Sequence, residues 1–165
     1  MKSFTRIIVV LLVTVAAAVT ATTANAADPG PGYIGVGGVR VIKSNETAKC
    51  LDDSVYGLRV FRCNGLVFQK FDVTNNPNGT HYLVNLSTGR CIEDPPSGII
   101  HAANCNGASN QMWYINNWGT GGWGFTNKRT NRCIYNKVAG AQWLIVTVCN
   151  WDWRPESFSL LQVRR

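Results

Sequence analysis

The sequence predicts an all-β fold, a closed barrel of about twelve short strands built as three repeated units. Three observations lead there. Six cysteines recur in couplets at a fixed period. Short β-branched and aromatic runs alternate with Gly-, Asn- and Pro-rich turns. No segment past residue 26 sustains a 3.6-residue apolar period.

The repeat is legible position by position. The first cysteines of the couplets, Cys50, Cys91 and Cys133, recur at intervals of 41 and 42 residues, and the second, Cys63, Cys105 and Cys149, at 42 and 44. Lys49, Arg90 and Arg132 precede the first cysteine, and Leu51, Ile92 and Ile134 follow it. Thr47, Thr88 and Thr130 lie three residues upstream, and Ile42, Leu83 and Phe125 lie eight upstream. Past the second cysteine come Gln69-Lys70-Phe71, Gln111-Met112-Trp113 and Glu156-Ser157-Phe158, each continuing to an apolar residue (Val73, Ile115, Leu160). Agreement at so many offsets means one supersecondary unit used three times.

Arg40 to Ile42, Leu58 to Phe61, Tyr82 to Val84 and Trp143 to Val148 have the composition of strands. Asn75 to Gly79 and Gly119 to Gly122 sit at matching places between strands and read as hairpin turns. Three units of about four strands must close on themselves or leave unpaired edges, and a threefold barrel closes them.

The N-terminus is a processing signal rather than part of the barrel. Lys2 and Arg6 precede an uncharged apolar stretch, Ile7 to Val19, of 13 residues, shorter than the roughly 20 that span a bilayer. Ala24-Asn25-Ala26 then supplies the small-residue site of a secretory signal peptide, cleaved after Ala26 or Ala27. A secreted protein without a transmembrane segment is expected. Removing Lys2 and Arg6 leaves fourteen basic against nine acidic residues, a net charge of +5. That is ordinary for an exported protein and mildly favours anionic partners. The basic residues are spread along the chain, not grouped as nucleic-acid binding requires, so no nucleic-acid partner is expected. Six cysteines in an oxidising compartment read as three disulfides, with 15 connectivities open on count alone.

Arg/Lys-Cys-Leu/Ile-Asp/Glu, a second cysteine 13 to 16 residues on and then Gln-x-Trp/Phe, three times over, resembles the ricin B-chain-type β-trefoil lectin domain. The resemblance covers essentially the whole mature chain. With the signal peptide at 1–26, it leaves a short extension at 27–36 and implies a β-trefoil at 37–165, with repeats at about 37–74, 75–116 and 117–165. It implies pairing within each repeat: Cys50 with Cys63, Cys91 with Cys105, Cys133 with Cys149. It also implies that Phe71, Trp113 and Phe158 fill the core where the repeats meet.

Ricin-type lectins hold a sugar in a shallow pocket, stacking an aromatic ring on its C–H face while a carboxylate and an amide bond its hydroxyls. The family places an Asp two residues after the first cysteine, an aromatic two before the second, and an Asn before the Gln of Q-x-W. Repeat one has Asp52 and Phe61 but Phe68 in place of the amide. Repeat two has Glu93, Asn110 and Gln111, with Ala103 in the ring position and His101 nearby. Repeat three has Tyr135 for the acid and Thr147 for the ring, and its Gln is replaced by Glu156. A carbohydrate-binding module follows, with one or two partly complete pockets and a galactose-type glycan as the model ligand. Repeat one is the better candidate on sequence.

The alternative is a protein-interaction or toxin-delivery subunit that docks through tryptophans. Trp143, Trp151 and Trp153 are the candidate aromatic patch, since i and i+2 residues of a strand share a face. Other motifs carry little. Gly119 to Gly124 satisfies G-x-G-x-x-G but lies between two strands with no helix to follow. Two histidines and widely spaced cysteines make no zinc site, and no nucleophile elbow or carboxylate pair is apparent. No catalysis, metal or cofactor is expected. Asn45, Asn78 and Asn85 begin N-glycosylation sequons, relevant only in a host that glycosylates exported proteins.

Overall fold

The computed structural model describes residues 37–119, 122–136, 144–149 and 157–163. The expected signal peptide at 1–26, the expected extension at 27–36, Trp143, Trp151, Trp153 and Glu156 lie outside the described residues. Within them are β1 (Gly38–Ser44), β2 (Cys50–Ser54), β3 (Gly57–Phe61), β4 (Lys70–Asn75), β5 (His81–Asn85), β6 (Arg90–Glu93), β7 (His101–Asn104), β8 (Trp113–Asn117), β9 (Trp123–Asn127), β10 (Arg132–Tyr135), β11 (Ile145–Val148) and β12 (Phe158–Gln162). No helix among these residues is long and apolar enough to cross a membrane.

Pairing closes the barrel. β1 pairs with β4, β4 with β5, β5 with β8, β8 with β9, β9 with β12 and β12 with β1, all antiparallel. Six strands thus form a ring without an edge. The hairpins β2–β3, β6–β7 and β10–β11 hang from β1, β5 and β9 respectively. This is the β-trefoil.

The apolar repeat positions meet inside. Ile42, Leu83 and Phe125, then Leu51, Ile92 and Ile134, then Phe71, Trp113 and Phe158 are all buried in one cluster. Leu160, the third-repeat counterpart of Val73 and Ile115, is only partly buried against it. Trp113 is fully enclosed and donates its indole N–H to the Ile92 carbonyl at 3.0 Å, which satisfies its one polar atom. Phe125 meets Phe158 edge to face at 5.3 Å.

Each hairpin is fastened at its open end by a disulfide. The bridges join Cys50 to Cys63, Cys91 to Cys105 and Cys133 to Cys149, within repeats as the resemblance implies. Loops of this length confer about 3 kcal/mol each in the chain-entropy account.

A second threefold device ties one repeat to the next. The acid three residues after the first cysteine is wholly buried and points across the repeat boundary. Asp53 takes a hydrogen bond from Arg90 Nε at 3.1 Å, with Thr88 Oγ1 and Arg90 Nη2 also donating to it. Asp94 is held in the same way by Thr130 and by Arg132, whose Nε lies 3.1 Å away. At the third boundary Asn136 stands in the acid position, and its Nδ2 donates to Thr47 Oγ1 at 3.3 Å. Thr47, Thr88 and Thr130, and Arg90 and Arg132, recur in the sequence because of this clasp.

Candidate carbohydrate-binding sites

The three candidate pockets lie on the hairpins. Register puts Asp52 opposite Arg59, Glu93 opposite His101 and Tyr135 opposite Ile145. These pairs are equivalent, so the pockets compare residue for residue.

The Gln of Q-x-W is the base of each of the first two pockets. Gln69 and Gln111 are fully buried at the end of short 3-10 turns, Val67–Gln69 and Ser109–Gln111. Gln111 Nε2 donates to Glu93 Oε2 at 2.8 Å and to the Asn104 carbonyl at 2.9 Å, while its Oε1 accepts from Asn106 N–H at 2.9 Å. Gln69 repeats the set with Asp52 Oδ2 at 3.3 Å, the Arg62 carbonyl and Asn64 N–H. The glutamine therefore orients the carboxylate and staples the loop that precedes it, and no part of it is exposed.

In repeat one, Asp52 has neither oxygen idle. Its Oδ2 is held by Gln69, and its Oδ1 accepts from Arg59 Nε at 3.2 Å, leaving the residue 3% exposed. The Arg59 guanidinium lies 4.4 Å from the centre of the Phe61 ring and 4.8 Å from that of Tyr56. The ring expected to stack on a sugar thus stacks on an arginine. Asp52 and Phe61 are brought together, but through Arg59. Arg59 went unremarked on sequence, although the signal was available: a two-residue hairpin loop, Val55-Tyr56, places position 59 opposite 52.

Repeat two is more open. One oxygen of Glu93 is fixed by Gln111, and the other lies 3.9 Å from His101 Nε2, a side chain half exposed to solvent. Asn110 is 7% exposed, and its side-chain oxygen has no hydrogen-bond partner. Its backbone carbonyl accepts from the Asp94 amide at 3.0 Å, which sets Asn110 beside the strand that carries Glu93. Ala103 leaves the ring position empty, and His101 is the adjacent flat group.

Repeat three has Tyr135 in the acid position. Tyr135 faces Ile145, and Ile145 bridges to Ile99 of the preceding repeat, both isoleucines being exposed. The facing pair is apolar where the other two carry an ionisable partner for the acid. Elsewhere, a cleft of about 340 Å³ between β1, β12 and the Cys50–Cys63 bridge includes Lys43 and Leu161 but none of the candidate acids. The Asn85 sequon is buried and its side chain bonds the Phe68 carbonyl, so it offers no glycosylation site in the folded chain.

Residues 68–146 match the family described as ricin-type beta-trefoil lectin domain-like. That stretch of the chain is similar to the ricin-type lectin family. The architecture of the chain is similar to that of the designed threefold-symmetric protein ThreeFoil (12% identity, 76% of this chain and 99% of that one, TM-score 0.67). It is also similar to SeviL, solved with the asialo-GM1 saccharide (13% identity, 78% and 99%, TM-score 0.63). A mosquitocidal holotoxin matches with a TM-score of 0.67 at 17% identity over 78% of this chain, which spans only 17% of the holotoxin's length. No curated protein matches the sequence significantly. At these identities the structural likeness is one of fold, and the match of residues 68–146 to a lectin-domain family supports carbohydrate binding in general terms.

Proposed function

We propose that the protein is a secreted carbohydrate-binding module without catalytic activity, and that repeat two supplies its working neutral-sugar pocket. The observation that carries this is Glu93, anchored on one side by buried Gln111 and open towards His101 on the other. An anchored carboxylate accepts two hydroxyl hydrogen bonds without losing side-chain freedom on binding. The His101 imidazole, half exposed beside that carboxylate, offers a flat face. What supports secretion is the processing signal at residues 1–26 together with three disulfides. A galactose-type ligand is the first to test, and SeviL, with its bound saccharide, shares the fold.

A glycan array on the mature protein, followed by titration calorimetry with free galactose as competitor, tests the proposal. Glu93→Gln keeps the shape and removes the charge, and is expected to weaken neutral-glycan binding about ten-fold or more. Unchanged affinity in that variant refutes the pocket. The alternative reading, a protein partner docked on Trp143, Trp151 and Trp153, concerns residues outside those described. The contact of Ile99 with Ile145, both exposed, is the feature that favours it.

A further inference from the structure

In repeat one the position that faces a sugar in the family pattern is taken by a cation. Arg59 spends one N–H, that on Nε, on Asp52. It makes no other hydrogen bond among the described residues, and neither Nη atom is buried. A guanidinium carries five N–H groups, so four remain on the two Nη atoms, and one from each points outward in parallel along the outer edge, on a side chain 15% exposed. That edge is held still: Asp52 fixes one side of the plane, and the Tyr56 and Phe61 rings lie within cation–π range. Tyr56 is 70% exposed and Phe61 37%, so both rings also offer apolar surface to a ligand. Asp52 in turn is locked by Gln69.

We infer that Tyr56, Arg59 and Phe61 form a binding site for a sugar that bears a carboxylate, as in a sialate or a uronate. A carboxylate meets the free edge of a guanidinium through two parallel N–H···O bonds, a geometry that a neutral hydroxyl pair does not reproduce. The C–H face of the same ring then packs on Tyr56 or Phe61. The Asp52–Arg59 pair is neutral as a whole, so recognition comes from the fork more than from net field. The basic excess of the chain adds a general attraction for such glycans. The same position in repeat two is His101 and in repeat three Ile145, neither of which makes a fork, so the site is unique to the first hairpin.

This site rests on the carbohydrate reading but not on the repeat-two pocket, and the two are separable by experiment. Calorimetry on the disulfide-intact mature protein would compare lactose, sialyl-lactose, a galacturonate oligomer and a sulfated galactan. The expected result is that at least one carboxylated ligand binds ten-fold or more tightly than lactose. Arg59→Lys, which keeps charge and ion pair but removes the fork, should lose that preference while lactose binding stays as in the wild type. Tyr56→Ala, at a side chain exposed enough to be dispensable for folding, should weaken the same ligand at an unchanged melting temperature. Sialyl-lactose and galacturonate distinguish the two sources of the carboxylate. Equal affinity for lactose and both carboxylated ligands overturns this site while leaving the repeat-two proposal standing. Tightest binding of the sulfated galactan, unaffected by Arg59→Lys, also overturns it, as attraction of charge alone. Binding of none of the four sinks both readings together.

Discussion

Arg132 reaches back across a repeat boundary to Asp94, 38 residues earlier in the chain, and pairs with both of its carboxylate oxygens. Asp94 has no exposed side-chain surface, so the pair and the added Thr130 hydroxyl are its compensation for leaving water among the described residues. Arg90 does the same for Asp53.

These clasps should dominate the polar contribution to stability. Arg132→Ala strands a buried carboxylate and is expected to cost about 3 to 5 kcal/mol. Asn136→Ala, at the equivalent neutral joint, removes one hydrogen bond and should cost about 1 kcal/mol. Urea unfolding of both variants measures the contrast. Similar losses would show that the charged clasp has no special weight.

Gln111→Ala should harm folding and ligand binding together. It leaves the Asn106 amide and the Glu93 carboxylate without their partner, at about 1 to 3 kcal/mol for each group left unsatisfied. Gln111→Glu tests the orientation role separately, because it retains the acceptor for Asn106 and repels Glu93. Melting temperature and glycan affinity, read on the same samples, should both fall in either variant.

Ala48→Gly should stabilise the protein. Ala48 has φ of 55°, and the equivalent residues are Gly89 at 67° and Asn131 at 58°. A left-handed conformation costs an alanine roughly 1 to 2 kcal/mol, of which the extra chain entropy of glycine gives part back. A net gain of about 0.5 kcal/mol, visible as a higher urea midpoint with an unchanged slope, is the expected outcome.

Stability should fall as pH drops below the ordinary histidine range, through His81. Its ring is 1% exposed, and burial lowers its pKa from 6.5, with a backbone hydrogen bond at Thr74 opposing. The unfolded chain therefore binds the proton more readily than the folded one. The neutral ring's contribution is complete above pH 6.5 and is lost as pH falls towards the lowered value. Unfolding free energies at pH 7.5 and 5.5 should differ by less in His81→Asn than in the wild type. A parallel loss in both proteins would assign the pH dependence to other groups.

The repeat, the barrel and the core aromatics were legible because they rest on offsets within the chain. Ile42, Leu83 and Phe125 line up by counting, and so do Phe71, Trp113 and Phe158. The clasp left its trace too. Thr47, Thr88 and Thr130 recurred, and Asp53, Asp94 and Asn136 each fall three residues after a first cysteine, yet their roles were hidden because the partners sit on different repeats. Counting gives equivalence, not contact. Asp52 illustrates the same limit. Its place in the family pattern could be counted along the chain, but only the hairpin register shows that Arg59 stands opposite it. Sequence ranked repeat one above repeat two for a neutral sugar because a ring at Phe61 was visible, while the neighbour occupying that ring was not weighed.

Two of the three inter-repeat joints are charged and the third, between the last unit and the first, is neutral. That joint is also where β12 lies against β1 over five register pairs, from Arg40–Gln162 to Ser44–Phe158. The polypeptide is continuous across both strong seams and interrupted at the weak one. A circular permutant would invert that arrangement: a short linker joining β12 to β1 would span the neutral seam, and new ends at the Asn76–Gly79 hairpin would fall on the Asp53–Arg90 boundary. The barrel is thus a ring whose natural break coincides with its least fortified joint, and moving the break would even out its resistance to opening.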